Sequence, residues 1–168
     1  MTMTRRRSFE AGHQRKFLIV ADHSPEVESA LFYAASRVQR SSGTLVLLHV
    51  IEPERQAHWL GVLEKQIEED RSKAAALFRL FRRKLANEGF GDVAVEEQIR
   101  EGVKAEQIVQ AISEDEDIAI LVLGASMDAK GPGPLVSTLA AGKAAGSFPI
   151  PITVVPGYLT LEEIKALA

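Results

Sequence analysis

Seven consecutive residues from Ile118 to Gly124, IAILVLG, are apolar without alternation. A strand with one wet face alternates, so this run calls for cover on both faces, as strands of a parallel sheet receive. The pattern recurs at Phe17 to Ala21 after Lys16, at Thr44 to Ile51 (TLVLLHVI), and at Ile152 to Val155 before Pro156-Gly157. Val93 to Ile99, VAVEEQI, alternates instead and is expected nearer a sheet edge with one solvated face.

Helical spacing fills the intervals. Val27, Ala30, Leu31, Ala34, Ala35 and Val38 mark a helix to about Gln39, with Ser24 as its cap, Pro25 in its first turn and Glu26 and Glu28 at its positive end. Leu63, Ile67, Ala74, Phe78, Phe81 and Leu85 give a long helix from Trp59 to Asn87 with a single apolar stripe. A shorter one carries Ala105, Ile108, Val109 and Ile112, and an alanine- and glycine-rich helix is expected after Thr138 as far as Ser147. The resulting order, βαβαβαβαβ, predicts a three-layer α/β domain with right-handed crossovers. Ligands on such sheets sit beyond the carboxyl ends of the strands, where strand order reverses.

Composition narrows the partners. With 168 residues, 46% of them hydrophobic, one domain with an ordinary core is the simplest expectation. A net charge of -3 gives no basis for a nucleic-acid partner. No run approaches the roughly 18 apolar residues of a membrane span, and with no cysteine there is no disulfide or thiolate site, so a cytoplasmic protein is expected. Residues 1–15, MTMTRRRSFEAGHQR, lack patterned apolar residues and read as a disordered arm, followed by a domain over 16–157 and a tail with a short helix over 158–168. The acidic run Glu114-Asp115-Glu116-Asp117 reads as a solvated connection rather than a metal site.

The functional cue follows the apolar run. Gly124 ends it, the loop holds Gly131-Pro132-Gly133-Pro134, and Ser137 and Thr138 precede the expected helix. Strand, glycine-bearing loop and capped helix start are the components of an anion site. Gly142-Lys143 lacks the other residues of a phosphate-binding P-loop, and Val136 spoils a dinucleotide fingerprint begun at Gly131. Asp22, at the end of the first strand, suits either a ligand contact or a helix-entry cap. His23 and His49 have no recognisable nucleophile partner, and His58-Trp59 reads as packing at the start of the long helix. No catalytic constellation emerges.

The segments KFLIVADHSPEVESALFYAA, TLVLLHVIEP, REGVKAEQIV, IAILVLGAS and PIPITVVP, in this order, resemble the universal stress proteins from Lys16 to about Gly157. The resemblance implies a Rossmann-like, adenine nucleotide alpha hydrolase-like fold, a five-stranded parallel sheet of order 3-2-1-4-5, and homodimers paired through the last strand. It also implies binding of ATP or another adenine nucleotide, with magnesium, and at most slow hydrolysis. The family's signature is Gly, two residues, Gly, nine residues, Gly and a hydroxyl residue. Here Gly124 takes the first place, Met127 the second, Ser137 the third and Thr138 the hydroxyl. By the same alignment Asp22 meets the ribose or adenine end, Val20 and Val50 line the base, and Leu123 and Leu139 flank the phosphate loop. Met127 and Ser137 replace two glycines, while Pro132 and Pro134 withdraw two N–H donors from the loop. A second expectation therefore stands beside the first: a dimeric interaction protein of the same fold, with an unknown protein partner and no nucleotide.

Overall fold

The computed structural model describes residues 5–53 and 60–168. His58 and Trp59, with the expected start of the long helix, lie outside the described residues. The elements are β1 (Lys16–Val20), α1 (Val27–Ser41), β2 (Thr44–Ile51), α2 (Leu60–Asn87), β3 (Ala94–Glu101), α3 (Lys104–Glu114), β4 (Ile118–Ala125), β5 (Ile152–Pro156) and α4 (Leu161–Leu167). The strands form one parallel sheet in the order β3-β2-β1-β4-β5, as the resemblance implied. Strand order reverses between β1 and β4, where Leu18 pairs with Leu121 and Ile19 with Val122.

The period of two in each strand divides the core between the faces of the sheet. Phe17, Ile19, Leu45, Leu47 and Val122 pack with Leu31 of α1, Phe78, Phe81 and Leu85 of α2 and Ile164 of α4. Leu18, Val46, Leu48, Leu121 and Leu123 face Ile108 and Ile112 of α3 and, beyond it, Val136, Leu139 and Ile150. Each such large side chain contributes about 1.5–3 kcal/mol on burial, which is why β1, β2 and β4 had to be apolar on both faces. The edge strand β3 is exposed or half-buried along its whole length, as its alternation foretold.

Two expectations fail in instructive ways. The alanine-glycine helix to Ser147 does not form: a five-residue π turn, Val136–Ala140, is followed by a 3-10 turn at Ala145–Ser147. The segment has few large apolar side chains to dock, and Gly142 and Gly146 add the helix's costliest residue short of proline. Ser24 does not cap α1, whose N-cap is Glu26 with no side-chain bond. Its N–H and hydroxyl instead donate to Asp22 Oδ1 at 2.8 and 2.5 Å, closing a turn before the helix.

The arm expected to be disordered is docked from Arg6 onward at the opposite end of the sheet from the loops just described. The Arg6 guanidinium donates to the carbonyls of Ile112, Asp115 and Ile118 at 2.7, 3.1 and 3.2 Å, capping the end of α3. Arg7 N–H donates to Glu116 O at 2.9 Å, His13 Nδ1 lies 2.7 Å from Asp117 Oδ1, and Ser8 is buried. The acidic run is thus no solvated connection. Lys16 and Arg100 complete its pairing, with Asp115 and Glu114 respectively. Polar contacts of this kind leave no hydrophobic period in the sequence. No helix among the described residues is long and apolar enough to cross a membrane.

The short tail helix is set by a reciprocal capping box, with Glu163 N–H donating to Thr160 Oγ1 and Thr160 N–H to Glu163 Oε2. Arg40 of α1 holds its far end through the carbonyls of Lys165 and Ala168.

Candidate functional site

Beyond the carboxyl ends of β1 and β4 lies a crevice of about 130 Å³. Val20 and Leu123 supply apolar wall, Asp22, Glu26 and Lys104 supply charge, and Gly124 and the 132–136 segment close it. Asp22 is brought there by β1. Its backbone level is fixed by Ala21, whose N–H donates to Leu48 O at 2.7 Å and whose carbonyl lies 2.8 Å from His49 Nδ1. One Asp22 oxygen is used by the Ser24 turn, so the aspartate organises that turn and also faces the crevice.

Four of the nine residues named from the sequence, Val20, Asp22, Leu123 and Gly124, share this crevice. The other five are elsewhere. Val50 borders a separate cavity with His23, His49 and Lys73. Leu139 is buried in the core beneath the loop, and Thr138 is exposed. Ser137 borders a wider cavity of about 410 Å³ with Ser126, Asp128, Lys130 and Gly131, and Met127 projects outward at 73% exposure.

Gly124 has a role that linear spacing does not reveal. A Cβ built on it falls 2.0 Å from the carbonyl oxygen of Glu26 and 2.7 Å from its carbonyl carbon, so the turn leading into α1 lies directly on β4. Gly157, just after β5, lies close against β4 and beside the Glu26 side chain: its Cβ would meet Ala125 O at 2.4 Å and Glu26 Cβ at 3.2 Å. Glu26 is therefore seated in a slot between two glycines, and its carboxylate turns toward the loop, 3.6 Å from where Gly133 would carry a Cβ. Sequence reading took Glu26 for a helix-dipole residue. Only the distant Gly157, brought alongside by the fold, shows otherwise.

The loop itself is built for its own conformation. Gly131 and Gly133 have φ of 115° and 103°, values side chains resist. Met127 and Ser137, in contrast, are absent from the positive-φ residues, so they carry none of the strain that a family glycine position could have imposed. Backbone donors around the wider cavity are spent internally: Ser126 N–H on Pro132 O, Gly131 N–H on Asp128 O and Ser137 N–H on Gly133 O, at 2.9–3.0 Å. Asp128 and Lys130 N–H donate to the side chains of Ser126 and Asp128. The helical segment after the loop is too short to add much dipole, so the anion site expected from strand, loop and helix start is incomplete.

The model of the universal stress protein family matches residues 14–156. The chain belongs to that family. Among solved structures, the universal stress protein UspA from Lactobacillus plantarum aligns with 84% of this chain and 97% of its own, at 19% identity and a TM-score of 0.67. A universal stress protein family protein from Arabidopsis thaliana with AMP bound aligns with 84% of this chain and 91% of its own, at 17% identity and a TM-score of 0.57. The universal stress protein from Archaeoglobus fulgidus in complex with dAMP covers 84% and 97%, at 16% identity and a TM-score of 0.52. At these identities the likeness establishes the universal stress protein fold. No curated protein sequence matches the chain.

Proposed function

We propose that this universal stress protein binds an adenine nucleotide in the crevice between β1, β4 and the Gly-Pro loop. The observation that carries the reading is the convergence of Asp22, Val20, Leu123 and Gly124 on one cavity where strand order reverses. Apolar walls suit a base, the Asp22 carboxylate suits ribose hydroxyl or adenine amino donors, and Lys104 is the cation among the lining residues. Relatives of the same fold carry AMP and dAMP, which supports an adenine ligand. Calorimetric titration with AMP tests the reading: Asp22→Ala is expected to weaken binding by about 1.5–3 kcal/mol, the worth of a hydrogen bond to a charged group. Equal affinity in wild type and variant would remove Asp22 from the site.

A second reading, a dimeric interaction protein without nucleotide, is favoured by one observation. The crevice, at about 130 Å³, is smaller than the roughly 300 Å³ at which small-molecule pockets begin. In both readings we place the dimer contact on the outer edge of β5, which pairs on its other side with β4 and leaves Val154 39% exposed. Light scattering of Val154→Lys is expected to show monomer where the wild type is a dimer, and a monomeric wild type would refute the contact.

A further inference from the structure

The Glu26 carboxylate stands at the junction of two cavities. It lines the crevice with Asp22 and Lys104, and it also lines the wider cavity with Asp128, Lys130 and Ser137. Its main chain lies directly on Gly124 of β4, and Gly157 stands beside its side chain, so close that a Cβ on either glycine would press on Glu26. No hydrogen bond or ion pair occupies the carboxylate among the described residues, so its charge is not neutralised by a neighbour.

We propose that Glu26 limits the length of the phosphate chain this crevice accepts, so that the site takes adenosine or a nucleoside monophosphate and rejects di- and triphosphates. The inference rests on the nucleotide reading above and specifies its ligand class. From an adenosine seated between Val20, Leu123 and Asp22, the way into the wider cavity leads past the residues that line both spaces, Glu26, Gly133 and Pro134. A first phosphate can turn to Lys104, which lines the same crevice and lies 4.0 Å from its Glu52 partner, a loose pairing. A second and third phosphate must run into the wider cavity. There they meet the Glu26 carboxylate, half-buried and without a counter-charge among the described residues, in a partly desolvated setting where like charges repel strongly.

The wider cavity offers little to offset that repulsion, since of its lining loop residues only Gly133 has an N–H not donated within the loop. A phosphate cradle needs several backbone N–H groups aimed at one point. Here Ser126, Asp128, Lys130, Gly131 and Ser137 have spent theirs within the loop, and Pro132 and Pro134 have none. Lys130 is the cation lining that cavity, and Asp128 and Glu26 line it too.

The test is a calorimetric ladder of adenosine, AMP, ADP and ATP on wild type, Glu26→Gln and Glu26→Asp. In the wild type, affinity is expected to fall at least tenfold from AMP to ATP. Glu26→Gln removes the charge with its shape kept and should raise the ratio of ATP to AMP affinity at least tenfold, while Glu26→Asp, which keeps the charge, should leave the ratio within about threefold of wild type. Melting curves establish that each variant is folded before titration. AMP binding with no preference over ATP overturns the length limit and leaves the nucleotide reading standing. A preference for AMP that Glu26→Gln does not change overturns the role of Glu26. If no member of the ladder binds wild type or Glu26→Gln at millimolar concentration, the nucleotide reading falls and this inference with it.

Discussion

Gly124→Ala separates the packing role of this glycine from any role in admitting a ligand. The added methyl carbon would lie 2.0 Å from Glu26 O, 2.7 Å from Glu26 C and 3.2 Å from Glu26 Cβ. Carbon and oxygen not bonded to each other normally stay about 3.3 Å or more apart, so the turn entering α1 has to retreat by roughly 1 Å. The obstructing atoms are backbone, and a rotamer change cannot clear them. Retreat would drag Val27 and Ala30 out of the core and strain the Ser24 bonds to Asp22. Overpacking of this kind costs about 1–3 kcal/mol, and in a chain of this size each kcal/mol lowers Tm by about 2–4 °C. Scanning calorimetry should therefore record a fall of about 2–12 °C with no ligand present. Gly157→Ala should also lower Tm, there through a clash with Ala125 O at 2.4 Å that retreat of the Glu26 turn does not relieve. A Tm for Gly124→Ala within about 1 °C of wild type would refute the slot.

Two further outcomes follow from the docked arm and the charges around it. Removing residues 1–14, or replacing Arg6 with Ala, strips the end of α3 of the three carbonyl contacts made by Arg6 and should cost about 1.5–3 kcal/mol; unchanged denaturant midpoints would show that the arm adds no stability. Burial alone would lower the Lys16 pKa, yet its hydrogen bonds to Asp115 and Glu96 outweigh that and hold it above the usual lysine value. The stabilisation from this raised pKa is present in full below about pH 10.4 and is lost as pH rises through the raised value, so Lys16→Met should flatten the alkaline decline in Tm. A decline of equal steepness in that variant would assign it to other groups.

How legible each part was depends on where its partners lie along the chain. β1, β2 and β4 were readable because burial on both faces writes itself into consecutive residues, and β3 because one wet face writes an alternation. Asp22 and Gly124 were readable as site candidates because each ends a central strand, a position the topology makes special. Glu26 was not, since what defines it is Gly157, far along the chain and unconnected by any local period. The arm was missed for a related reason: Arg6 docks through carbonyl oxygens, which every residue has and no sequence displays. The helix expected after Thr138 failed because alanine favours a helix only where something holds it, and this segment offers little to bury. Met127 and Ser137 looked like damage to a glycine signature. The loop has instead moved its positive-φ positions to Gly131 and Gly133 and bonded its donors to itself.

The two walls of the crevice are therefore unequal in a way that bears on any ligand. The wall made by the turn from Asp22 to Val27 is fixed by core packing of Val27, by the Ser24 bonds and by the two-glycine slot. The opposite wall, from Gly131 to Leu135, is held by a few backbone hydrogen bonds, is half-buried or exposed, and leads into the short helical turn Val136–Ala140, anchored by Val136 and Leu139. Enlarging a cavity of about 130 Å³ for a nucleotide must displace one of them. Moving the first breaks core contacts, whereas moving the second exchanges a handful of loop hydrogen bonds for ligand or water contacts, each worth about 1 kcal/mol net. Opening on the loop side would also release the N–H groups of Ser126, Gly131 and Ser137. It would not move Glu26, so a freed set of donors would still face a carboxylate that the fold keeps in place.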